Sequence, residues 1–169
     1  IIDILNAKTM EAVFRLLQGC SFLGSFLAYQ YTIDMNYSPY INFSENDFVK
    51  AGIGAIRGIK KCFLCYGNKC EDAIWYVKEH FNDLLKRYGY TSFHPLPGHE
   101  PTLIDLQNCF CETDKYLRAK MPELRIGNVR IKQKYMPHTD PIQFFFPPKW
   151  NIVEMYKYKP IVVPTLFDL

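Results

Sequence analysis

The stretch LLQGCSFLGSFLAYQYTIDMNY, residues 16–37, carries the pattern Leu17-x-Gly19-x-x-x-x-Gly24 between two segments of helical character. A tight turn on such glycines exposes backbone N–H groups, and the helix after it adds the positive end of its dipole. Together these suit one phosphate of a nucleic-acid backbone, because a residue without Cβ lets the phosphate approach closely. The same spacing also serves as plain helix-to-helix architecture, and the pattern alone does not separate the two. Arg57 stands among Gly52, Gly54 and Gly58, where its guanidinium could engage two oxygens of a phosphate or pyrophosphate at once. A solvated surface Arg is the plainer alternative. Glu112, Lys115 and Arg118 recur every third residue and so share a helix face, either as an ion-pair ladder or as a set of acid and base groups.

CFLCYGNKC and CFC hold five of the six cysteines: Cys62, Cys65, Cys70, Cys109 and Cys111. Zinc needs about four N or S ligands in tetrahedral array. The second half of such a site would have to come from Cys70 with Cys109 or Cys111, or from His94 or His99. That spacing is irregular, and apolar neighbours make Cys109 and Cys111 read as core thiols. No metal and no cofactor is expected. A thioredoxin-like role lacks its preceding strand pattern. No G-x-x-x-x-G-K-[ST] loop occurs, so the chain has no phosphate-cradling loop of that kind and is not a kinase by itself.

The elements that must position these residues are mainly helical. Met10, Val13, Phe14 and Leu17 predict a helix over 8–18 with Thr9 as its cap and Gly19 as a positive-φ stop. Residues 24–35 resume as a second, largely buried helix. There Gln30 could hydrogen-bond a base edge or tie helices together, and Asp34 reads as structural. The segment 36–46 is a loop, after which Asp47 stands where an N-cap belongs. The glycines in the following FVKAGIGAIRGIKKCF weaken a helix, so a short or broken one is expected. Residues 71–88 form the most regular helical pattern, with acids early and Lys86 and Arg87 late. A proline loop over 92–101 leads to a helix over 102–119, with Thr102 and Asp105 in capping-box register. Beyond Pro122 the chain is proline-rich and lacks helical period. It reads as an extended segment wrapped on the helical body, with a short hairpin around Gly127 and Asn128.

The chain has 169 residues, 49% hydrophobic and 22% charged, which fits one globular domain with a core of its own. Twelve Tyr and thirteen Phe make it rich in aromatic rings, assigned mostly to the core. A net charge of +3 permits an acidic partner without demanding one. No apolar run is long enough to span a membrane and no signal peptide is visible, although a chain beginning without Met reads as a fragment. Free thiols without a secretory segment point to an intracellular setting, nuclear if the source is eukaryotic.

Three ordered blocks, GSFLAYQYTIDMNY (24–37), DFVKAGIGAIRGIKK (47–61) and CETDKYLR (111–118), with a weaker echo in FPPKW (146–150), resemble a family of DNA base hypermodification proteins. This is the α-glutamyl/putrescinyl thymine pyrophosphorylase group, which includes the helical domain attached to 5-hydroxymethyluracil DNA kinases. The resemblance covers about residues 10–150. It implies an all-α fold of the helix-hairpin-helix DNA-glycosylase type: a helical body over 1–121 with a tail over 122–169 packed on the same domain. It further implies DNA as partner, with an amine or amino acid as co-substrate and a kinase or other protein as companion.

The chemistry it implies is replacement of an activated group on a hydroxymethylated pyrimidine by an amine. In this setting Asp47 would serve as general base or stabilise positive charge, unless it simply caps a helix. Glu112 and Lys115 would join it in catalysis. Gly19, Gly24, Gly52, Gly54, Arg57, Arg118 and Gln30 would contact DNA or phosphate. A module of the same fold that only binds DNA or scaffolds another protein, through apolar tail segments such as FFFPP and IVVPTLF, is the alternative. Steep loss of affinity with salt marks DNA binding, whereas salt-insensitive or absent binding favours the protein-scaffold reading.

Overall fold

The computed structural model describes residues 1–96, 98–126 and 146–152. Its helices are α1 (Ile2–Leu5), α2 (Met10–Gln18), α3 (Ser25–Asn36), α4 (Ile53–Cys62), α5 (Cys70–Glu79), α6 (Phe81–Arg87) and α7 (Leu103–Lys120). No strand occurs among the described residues, and the protein is mainly α-helical. Among those residues no helix is long and apolar enough to cross a membrane. The expected hairpin at Gly127 and Asn128, most of the 122–169 tail, the IVVPTLF segment and all of FFFPP before Phe146 lie outside the described residues.

Local chemistry sets several boundaries. Thr9 accepts a hydrogen bond from the Ala12 N–H and opens α2. Asp105 accepts from the Thr102 N–H at 2.8 Å and opens α7. Met10, Val13, Phe14 and Leu17 bury one face of α2 against α3, whose Tyr29 and Ile33 enter the same core. Ala55 and Ile59 of α4, Ile74 of α5, and Leu103, Leu106 and Phe110 of α7 complete it.

Four expectations are corrected. Gly19 closes α2 at φ −72°, in ordinary helical space, and the positive φ of the α2–α3 turn falls on Phe22 at 67°. Helix α3 is not largely buried: Phe26, Leu27 and Tyr31 are exposed, because only its Ala28–Tyr29–Thr32–Ile33–Asn36 face meets the core. Asp47 caps nothing. Residues 48–52 run without helical structure, and Gly52 is the N-cap of α4. The single helix expected over 71–88 is interrupted at His80, whose backbone leaves helical space (φ −107°, ψ 17°) while its Nδ1 lies 2.9 Å from the Tyr76 carbonyl.

Helix α4 is unbroken despite its glycines because α7 lies directly on them. A Cβ on Gly58 would stand 2.0 Å from the Phe110 carbonyl oxygen, and one on Gly54 would stand 2.4 Å from Cys111 Sγ. The missing side chains let two backbones touch. Gly58→Ala is therefore expected to cost about 1–3 kcal/mol or more in urea unfolding, since the obstacle is main chain. Gly24→Ala meets no atom within 4 Å of the added carbon and should cost less, about 0.5–1 kcal/mol, the margin by which Gly outranks Ala at an N-cap.

At the far end of the same contact, Lys61 of α4 reaches Asp114 of α7 (Nζ–Oδ1 2.8 Å), and Arg118 Nε lies 3.1 Å from Asp114 Oδ2. The Lys61 and Asp114 side chains are only 2% and 1% exposed, so this is an interior ionic cluster.

A second buried acid joins the 48–52 segment to α5. Glu71 accepts from Lys50 Nζ (2.7 Å) and the Ala51 N–H (3.1 Å). Burial pushes its carboxyl up, but the ammonium and amide outweigh burial and hold it below the ordinary 4.5. A depressed native value means the unfolded chain binds the proton more tightly. This contribution is complete above pH 4.5 and is lost as pH falls through the native value. Glu71→Gln should flatten the acid limb of a stability-versus-pH curve from urea unfolding.

Candidate functional site

The loop between α3 and α4 is pinned by side chains from two helices. Asn36 holds Phe43 at both its N–H (2.8 Å) and its carbonyl (3.1 Å), so residues 37–43 return to the end of α3. Asn46 then accepts from the Leu103 N–H at 3.2 Å, fixing the loop over the start of α7. A bridge between Leu96 and His99 brings the proline loop to the same place. The short helical turn Pro148–Trp150 closes it. There Lys149 Nζ donates to the carbonyls of Asn36 (2.9 Å) and Phe43 (3.3 Å), and the Trp150 indole donates to Glu45 Oε2 (2.9 Å).

These segments border an open polar cavity on the surface, of about 390 Å³, lined by Glu45, Asn46, Lys78, His99, Thr102 and Lys149, among others. Its size is that of a small-ligand pocket. His99 stacks on Trp150 with ring centroids 3.6 Å apart, and Tyr37 meets the same indole edge-on at 5.8 Å. Burial, helped by Glu45 and Asp105, pushes the Tyr37 phenol up, so it stays a neutral donor. Burial lowers the Lys149 ammonium, with Glu45 opposing the shift.

Among the described residues Glu45 Oε1 is buried without a hydrogen-bond partner, while His99 Nε2 faces Asp105 Oδ2 at 3.5 Å. Buried polar atoms are nearly always paired, so the unmade bond at Glu45 marks where a ligand's polar group would fit. A carboxylate and an imidazole held there can accept or donate a proton.

The residues singled out in the sequence are spread more widely. Asp47 is exposed in the Ser44–Asp47 turn, two residues beyond Glu45, and does not line the cavity. Glu112 and Lys115 pair with each other on the exposed side of α7, while Arg118 turns inward to Asp114, so the three-residue spacing does not assemble them. Arg57 is half-buried on α4 and forms no ion pair among the described residues. Gln30 is half-buried on α3 and Asp34 is exposed. Gly54 serves the α4–α7 contact.

Gly24 and Gly52 form a pair instead. Each is an N-cap, with backbone angles of −72°/166° and −72°/165°, and neither offers a capping side chain. A Cβ on Gly52 would meet the Phe26 ring of α3 at 3.1 Å and the Gln107 amide of α7 at 3.2 Å, so side chains cover the start of α4, while Gly24 stands in open space. Each leaves first-turn N–H groups without intrahelical partners. Phe22 stands fully in solvent at the tip of the preceding turn.

Among the described residues no group of three or more His, Cys, Asp or Glu is placed to hold a metal ion. Glu45, Asn46, Lys78 and Lys149 were missed as site residues because they come together only in the fold, from loop 36–46, α5 and FPPKW. His99 was considered only as a zinc ligand, Thr102 only as a helix cap, and FPPKW only as a family echo.

The family model described as "5-hmdU DNA kinase, helical domain" matches residues 2–126. No curated protein and no solved structure matches the chain. The all-helical body and that match over most of its length carry one conclusion: the chain belongs to the helical-domain family of the 5-hmdU DNA kinases, a family of DNA base modification.

Proposed function

We propose that this domain binds DNA and receives a 5-hydroxymethyluracil base, or a closely related modified thymine, in the cavity of Glu45, His99 and Lys149. A base inside the duplex cannot present its C5 substituent to a pocket and must be extruded first. The observation that carries the reading is the buried Glu45 Oε1, without a hydrogen-bond partner among the described residues, at a ligand-sized space that His99 and Lys149 also line. The uncapped start of α3 at Gly24, which stands in open space, and Arg57 of α4 would hold the phosphate backbone.

The cavity suits a nucleophile at the C5 methylene losing its proton. In amine transfer, an amine nitrogen attacks the methylene carbon of a pyrophosphorylated hydroxymethyl group. The C–N bond forms, the C–O bond breaks with its electron pair leaving on pyrophosphate, and Glu45 takes the proton from nitrogen. In phosphorylation by a companion kinase domain, the hydroxymethyl oxygen attacks the terminal phosphorus of a nucleoside triphosphate, the P–O bond to the diphosphate breaks with its electron pair leaving on the diphosphate, and the hydroxyl proton passes to the same carboxylate. Lys78 and Lys149 supply positive charge beside the departing or incoming phosphate groups.

Fluorescence anisotropy with a duplex bearing one 5-hydroxymethyluracil tests the binding. The affinity should fall steeply with salt, and Arg57→Ala should reduce the log–log slope by about one. Salt-insensitive binding, or none, would contradict the reading.

A further inference from the structure

A second cavity, of about 430 Å³, lies on another part of the surface and is lined by Phe63, Cys65, Tyr66, Gly67, Asp72 and Tyr76, with Ala73 at its base. Phe63 and Tyr76 stand at right angles (89°) with centroids 6.4 Å apart, so with Tyr66 they form a concave corner of aromatic surface. The two rings are held from behind. Phe63 packs on core Phe110 at 6.0 Å, and Tyr76 stacks on His80 at 4.4 Å. Gly67 folds the loop over Asp72 with φ +85°, where a Cβ would lie 2.7 Å from Asp72 Oδ2. That oxygen accepts the N–H groups of Asn68 (2.9 Å) and Lys69 (3.1 Å), which fixes the carboxylate at the cavity wall. No Lys or Arg lines the space.

Three aromatic rings, one fixed carboxylate and no lining cation are complementary to a soft organic cation. A bare ammonium donates three hydrogen bonds, most of which would face ring carbon here. A methylated ammonium presents apolar methyl groups that carry the charge, and ring faces satisfy these. We propose that this cavity is a binding site for a methylated ammonium group, the shared chemistry of a choline-like small molecule and a methylated lysine side chain. The site is separate from the base cavity and shares no lining residue with it.

The test is a set of titrations followed by NMR of the Tyr76 and Phe63 ring resonances. The probes are choline, its neutral isostere 3,3-dimethylbutanol, and a short peptide with one trimethyl-lysine. Choline should bind about tenfold more tightly than the isostere, because only charge distinguishes them. Tighter binding of the peptide identifies a protein tail as the source, and equal or weaker binding identifies a small molecule. Tyr76→Leu removes an aromatic wall. Asp72→Asn keeps an acceptor for the two N–H groups and removes the charge. Each should weaken choline binding by about fivefold or more with the helical circular-dichroism signal unchanged. Equal affinity for choline and the isostere would overturn the proposal. So would no binding of any cation by the folded protein, or choline binding untouched by both substitutions.

Discussion

Asp114→Ala is expected to lower the free energy of unfolding by about 3–5 kcal/mol, the usual cost of removing one partner from a buried ionic pair. Lys61 would keep its ammonium inside the α4–α7 contact with its carboxylate partner gone, and Arg118 would lose the same carboxylate. The change removes no large apolar surface, so an effect of that size isolates the electrostatic role. Urea unfolding of the wild type and Asp114→Ala measures it. A loss below about 1 kcal/mol, the range of exposed pairs, would show that the cluster is solvated. Glu112→Ala on the same helix supplies that comparison, because its partner Lys115 is exposed.

Glu45→Gln is expected to reduce turnover of the modified base by about 10²–10⁴-fold, the range for loss of a general base, while duplex affinity stays within about a factor of three. Gln retains an acceptor for the Trp150 indole, so the cavity keeps its shape while the proton acceptor is lost. Mass spectrometry of nucleosides from treated DNA reads the outcome. Two substrates are supplied: 5-hydroxymethyluracil with a kinase partner, and its pyrophosphorylated form with a mixture of amines. Asp47→Asn, on the same loop but in solvent, should leave turnover within a few-fold. Loss of turnover in Asp47→Asn but not in Glu45→Gln would move the proton acceptor from the cavity to the rim.

The parts legible in the sequence are those decided within a few residues. Thr9 and the Thr102–Asp105 pair announce their helix starts through side-chain bonds to neighbouring N–H groups. Gly54 and Gly58 carry no such local meaning. They read as helix weakeners until α7 is seen lying on them, a contact between segments some fifty residues apart in the chain. Asp47 looked like a cap because an acid preceded an apolar run, yet pinning of the loop by Asn46 and Tyr29 keeps the backbone outside helical space until Gly52.

The cavity at Glu45 and His99 was the least legible feature. Trp150 meets Glu45 across 105 positions, and Lys149 meets Phe43 across 106, so no local spacing could reveal them. The hairpin glycines were read for phosphate contact. Gly24 does stand in open space, whereas Gly52 is covered by the Phe26 ring and the Gln107 amide.

Under the proposed function a base leaves the duplex and enters the space between Glu45 and His99. An NMR titration of the His99 imidazole and the Trp150 indole N–H with two duplexes that differ only in one thymine replaced by 5-hydroxymethyluracil tests this. Both signals should shift with the modified duplex, and more than with the thymine duplex. Binding of the modified duplex that leaves both signals unmoved would contradict it.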